Sequence, residues 1–150
     1  MTLEAWFWIA HVPAVAGWLA LMFGPAGPAV RIARAAAAVL AVGYALLFLI
    51  AGAEGSELAR NYSLGGVAAF FSNRALLLLG WVHYLAFDLF VGSWEAEEAD
   101  RLGMPRHLLI ACLLLTFLLG PLGLLAFLAA RSARKTALPA AGSGENTIAS

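Results

Sequence analysis

The sequence predicts an all-α integral membrane protein: four transmembrane helices in a bundle, with a short interfacial or re-entrant segment between helices two and three. Three observations carry this. Of 150 residues, 63% are hydrophobic and 12% charged, with a mean hydropathy of +0.86. A soluble domain of this length keeps too much of its chain at the surface to hide so many apolar side chains. Four runs approach the roughly 20 apolar residues a helix needs to cross hydrocarbon. None of the four alternates with the period of two that a membrane barrel requires.

The first span is Leu3 to Phe23. It has no basic leader, Glu4 being the only charge before the apolar run, and "WFW" (Trp6 to Trp8) suits an interfacial anchor. It therefore reads as a retained helix, not a cleaved signal peptide. "GPAGPAV" (Gly24 to Val30) is a tight turn into the second span, Arg34 to Gly52. Ala53 to Ser72 is too short in its apolar run to span. It reads as an interfacial or re-entrant segment, with an ordinary surface loop as the alternative, and Ser72 or Asn73 caps the third span.

The third span is Ala75 to Trp94, followed by a solvated loop "EAEEADRLGMP" (Glu95 to Pro105) and a fourth span, Leu108 to Ala130. Residues 1–131 form the transmembrane domain, and 132–150 read as a disordered tail, polar and without periodicity. Four spans put both termini on one side. That side carries Arg60, Arg74, Arg131, Arg134 and Lys135; the other carries Arg31, Arg34, Arg101 and Arg106. Five against four sets no orientation.

Charge and composition exclude several functions. Net charge is zero, and no basic stripe suggests nucleic acid. The single cysteine, Cys112, excludes an internal disulfide and a multi-cysteine zinc site, and no metal site is expected. The only lysine, Lys135, lies in the tail, which excludes a retinal-type Schiff base. No glycine motif for nucleotides occurs. Membrane lipid is the expected surrounding partner, and self-association into a homo-oligomer is compatible with the sequence.

The polar groups at membrane depth carry the functional signal, because an Asp or Arg at mid-membrane costs about 2.5–3.5 kcal/mol. His11 lies midway along span one, with His83 and Asp88 in span three. Asn73 and Arg74 open span three, and Arg106 and His107 open span four. At helical spacing Arg74, Trp81, Tyr84 and Asp88 form one stripe. Asn73, His83, Phe87 and Phe90 form its neighbour. This broad polar-aromatic face is expected to turn inward, leaving Leu78, Val82, Leu85 and Leu89 to lipid. Pro13 and Pro121 each remove a helix hydrogen bond, freeing the carbonyls of Ile9 and Phe117. A pocket lined by spans one, three and four is expected, with Asp88 paired to Arg106 or His107 across the three–four hairpin. The bland readings are that His11 bonds a freed carbonyl, that His83 is interhelical glue, and that Arg106 and His107 snorkel to headgroups.

"GWVHYLAFDLFVG", preceded by "FFSNRALLL" and followed by "MPRHLLIACLLLTFLLGPLGLL", resembles the abscisic-acid-deficient family of small membrane proteins. The motif residues are Trp81, His83, Asp88, Leu89 and Phe90, then Arg106–His107, then Pro121 and Gly123. The resemblance covers Leu3 to Arg131. It implies four helices, a bacterial member in the inner membrane, and a link to carotenoids, because plant members are needed to make neoxanthin from violaxanthin. A cofactor-independent isomerase opening an epoxide to an allene needs an acid, a base and aromatic faces for the cation. The expected acid is Asp88 and the expected base His83. Substrate contacts are expected from His11, Asn73, Arg74, Trp81, Tyr84, Phe87, Phe90, Arg106 and His107. The alternatives are a haem b protein, with His11 and His83 as axial ligands, and a non-catalytic pigment-binding or scaffold protein.

Overall fold

The structure, a computed structural model, describes residues 2–58 and 63–137, with side chains placed for 2–51 and 63–136. Among the described residues it has six helices and no strand: α1 (Leu3–Phe23), α2 (Ala26–Leu58), α3 (Leu64–Ser72), α4 (Arg74–Arg101), α5 (Arg106–Leu119) and α6 (Pro121–Ala137). Three helices, α1, α2 as far as Ala51, and α4, are long and apolar enough to cross a membrane.

Local chemistry sets these ends. The Thr2 hydroxyl accepts from Ala5 N, and the Ser63 hydroxyl from Gly66 N. Asn73 caps α4, its side-chain oxygen accepting from Ala75 N at 2.8 Å and Leu76 N at 3.3 Å. Pro13 is carried inside a continuous α1. The segment before α4 is the short helix α3, which packs on α2 and α4.

α4 is the central element, touching all five other helices. Its aliphatic stripe packs inward: Leu78, Val82, Leu85 and Leu89 are all buried. The expected orientation is therefore reversed for most of this helix. In lipid, a leucine gains nothing from facing protein instead of acyl chains, so apolarity does not choose the buried face. Small residues choose it. A Cβ added at Gly17 of α1 would stand 2.6 Å from Leu89 Cδ2, and one at Gly92 would stand 2.7 Å from the Trp18 ring. The alanines Ala29, Ala33, Ala36 and Ala37 of α2 are likewise buried.

Two further expectations are corrected. α4 runs on to Arg101, so most of the segment read as a solvated loop is helical. It stays helical because Glu95 and Glu98 are buried against partners from α5 and α6. The fourth span is not one helix. The chain breaks at Gly120, with φ +48°, and α6 folds back beside α5. Arg131 reaches Glu98, and Arg134 donates to the carbonyl of Gly103, close to where α5 began. The two short helices form a hairpin lying along the C-terminal half of α4. The region read as a disordered tail begins as helix, since α6 continues to Ala137; residues 138–150 lie outside the described residues.

Candidate functional site

The hairpin tip meets α4 at the middle of that helix. There Asp88 packs against Gly120, with its carboxylate oxygens 3.5–3.6 Å from where a Cβ on that glycine would stand. Asp88 Oδ2 is buried and has no hydrogen-bond partner. One turn earlier, the Tyr84 hydroxyl donates to the Phe117 carbonyl at 3.3 Å, the carbonyl that Pro121 leaves without a helix donor. One to two turns later, the fully buried Glu95 accepts the Thr116 hydroxyl at 2.9 Å. Glu98 then pairs with Arg131 Nε at 2.7 Å and Arg101 at 3.2 Å. Tyr84, Asp88, Glu95 and Glu98 thus form a polar seam between α4 and the hairpin. Glu95 and Thr116 were missed in the sequence because the acidic run reads as a loop. The signal was present: Glu95 stands seven residues after Asp88 on the same face.

Beyond the tip the hairpin ends while α1 and α4 continue. A recess opens there, walled by aromatic rings. Phe7 stacks on Trp81 at 6.1 Å, His11 lies 5.9 Å from Trp81, and Trp81 lies 5.5 Å from Tyr84. The recess is a cavity of about 230 Å³ between α1 and α4, lined by Leu3, Glu4, Phe7, Arg74, Leu77, Leu78 and Trp81, and Asp88 lies two turns beyond Trp81 outside that lining. The His11 Nδ1 lies 2.7 Å from the Phe7 carbonyl. A carbonyl only accepts, so Nδ1 carries a proton and donates it to Phe7. The freed Ile9 carbonyl is not its partner.

The remaining expected residues scatter. His83 is exposed on the far side of α4, its ring 4.5 Å from Phe87 and 5.7 Å from Tyr44. It does not face the same way as Asp88, because five residues turn the helix by about 140°. His11 and His83 likewise face different neighbours. Phe87 and Phe90 are 60% and 54% exposed and flank a separate groove of about 420 Å³ floored by Ala37, Ala38, Ala41 and Ala86, with Arg34 at its end. Arg106 does not pair with Asp88. It donates to the carbonyls of Leu21 and Gly24 at 3.1 and 2.7 Å, closing the C-terminal end of α1. His107 is exposed in the first turn of α5. Asn73 serves as a helix cap, and Arg74 is exposed at the mouth of the recess. Among the described residues, no three His, Cys, Asp or Glu side chains cluster as metal ligands.

No curated protein and no solved structure matches the chain. A family model described as ABA DEFICIENT 4-like matches residues 5–127, a span that takes in α1 to α5, the hairpin tip and the first turns of α6. The seam residues of α4, the central helix and all of the recess lining except Leu3 and Glu4 fall inside that match, and the chain belongs to the ABA DEFICIENT 4-like family.

Proposed function

We propose that the recess between α1 and α4, with the face of α4 that runs from Trp81 to Asp88, holds the end ring of an epoxidised carotenoid or related isoprenoid, and that the protein isomerises it without a cofactor. The observation that carries this reading is Asp88. It is a half-buried carboxyl whose Oδ2 is buried without a hydrogen-bond partner, two turns along α4 from Trp81 and against the hairpin tip. The family's link to neoxanthin synthesis supports the substrate class.

Asp88 gives its proton to the epoxide oxygen. One C–O bond breaks, the oxygen becomes a hydroxyl, and positive charge spreads into the polyene beside Trp81 and Phe7. Loss of the neighbouring vinylic proton leaves the cumulated double bonds of an allene. The basic group on this side of α4 is His11, through its Nε2, and not His83. Returning that proton to Asp88 closes the cycle, so the reaction is an isomerisation with no net gain or loss.

Asp88→Asn keeps shape and hydrogen bonding but removes the acid. It is expected to lower product formation by roughly 10²- to 10⁴-fold in pigment analysis of expressing cells, at unchanged protein level. A second reading, non-catalytic pigment binding, draws on the α2–α4 groove, whose alanine floor and two phenylalanines suit a flat chain. Unchanged product in Asp88→Asn, with pigment still co-purifying, would favour it.

A further inference from the structure

We infer that the α5–α6 hairpin is re-entrant, so that the chain crosses the membrane three times with α1 beginning outside and α6 ending in the cytoplasm. The recess between the N-terminal ends of α1 and α4 then opens to the outer leaflet.

Length is the first argument. α5 has 14 residues, about 21 Å of helix, against a hydrocarbon core of about 30 Å. It cannot cross alone, and α6 does not extend it. α6 returns until Arg131 reaches Glu98 and Arg134 reaches the Gly103 carbonyl, at the end of α4 where α5 set out. The tip lies against Asp88, halfway along the 28 residues of α4. A backbone break at that depth is tolerated only where protein satisfies it. Here the Tyr84 hydroxyl serves the Phe117 carbonyl, and Gly120 N donates to the Thr116 carbonyl at 2.8 Å.

Charge is the second argument, and it follows from the first. With a return hairpin, Arg131, Arg134 and Lys135 move to the side that already holds Arg31, Arg34, Arg101 and Arg106. The opposite side keeps Arg74 and Arg60, the latter outside the described residues. The near balance of a four-span chain becomes seven against two. A bias of that size near span ends places the richer side in the cytoplasm.

The test does not depend on any substrate. In a Cys112→Ala background, single cysteines are placed at the exposed positions Glu4, Ser72, Asp100 and Thr136 and labelled with a membrane-impermeant maleimide on bacterial cells with permeabilised outer membranes. Glu4→Cys and Ser72→Cys are expected to label directly. Asp100→Cys and Thr136→Cys are expected to label only after the inner membrane is opened. A green fluorescent protein fused after the last residue should fluoresce, which it does only in the cytoplasm. Labelling of Thr136→Cys together with Glu4→Cys from outside, with Asp100→Cys protected, would restore four spans. Labelling of Asp100→Cys and Thr136→Cys from outside, or a membrane-inserted fusion that stays dark, would overturn the orientation.

Discussion

At Gly120 the backbone turns with φ +48°, a conformation that L side chains rarely adopt. The space beside it is open enough for a methyl, since the Asp88 oxygens stand at ordinary contact distance. Gly120→Ala should therefore cost stability through backbone strain, about 1–2 kcal/mol, without displacing the carboxyl. Gly123 differs, because a Cβ there would run into the backbone of Thr116. Gly123→Ala should cost more than Gly120→Ala, since only separation of α5 from α6 can relieve it. Unfolding in detergent followed by circular dichroism would rank the two, and the reverse order would contradict this account of the turn. Tyr84→Phe removes one hydroxyl from the seam and keeps the ring. By the usual worth of an interhelical hydrogen bond in a membrane it should cost about 0.6 kcal/mol. A loss several times larger would mean that the hydroxyl does more than serve the Phe117 carbonyl.

Helices one and four illustrate what was legible in the chain and what was not. The limits of α1 follow from hydropathy and from Gly24–Pro25, and the Asn73 cap follows from its place before an apolar run. The stripes on α4 follow from helical spacing, but their direction does not. Water sorts polar from apolar faces; lipid does not sort leucine from leucine. Gly17 and Gly92 held that information, because each leaves room for a large side chain from the facing helix. Gly17→Leu should thus push α1 off Leu89 and destabilise the fold by about 1–3 kcal/mol, although leucine suits a membrane helix as well as glycine. An unchanged melting temperature would show that α1 and α4 do not pack as described. Pro121 was legible as a break, and its freed carbonyl at Phe117 does find a donor. A proline alone signals a kink, whereas glycines on both sides of it, in "GPLG", permit a full return. The site was half legible for the same reason. Asp88 is identifiable as a costly group at membrane depth, but which histidine lies on its side of α4 depends on how the helices face.

At the scale of the molecule, three long helices form the bundle and the hairpin covers the acidic seam of α4. Glu95 is fully buried and Glu98 is 6% exposed, with partners drawn from Thr116 and Arg131 of the hairpin. A chain ending after Gly103 keeps α1 to α4 and should still insert, because those helices carry the hydropathy. It would lay both carboxylates open to lipid, each at a cost of up to about 2.5–3.5 kcal/mol depending on depth. The shortened protein should therefore unfold more easily in detergent and accumulate to lower levels. Replacing both seam residues, as Glu95→Leu with Glu98→Leu, should stabilise the shortened chain. In the full-length protein the same pair should destabilise it, since the Thr116 hydroxyl loses its partner at a cost of about 1–3 kcal/mol and Arg131 loses its carboxylate. Opposite signs in the two backgrounds are the expected outcome. If the double substitution moved both proteins the same way, the hairpin would not be what shields the seam, and α4 would reach its stability through the α1 and α2 faces alone.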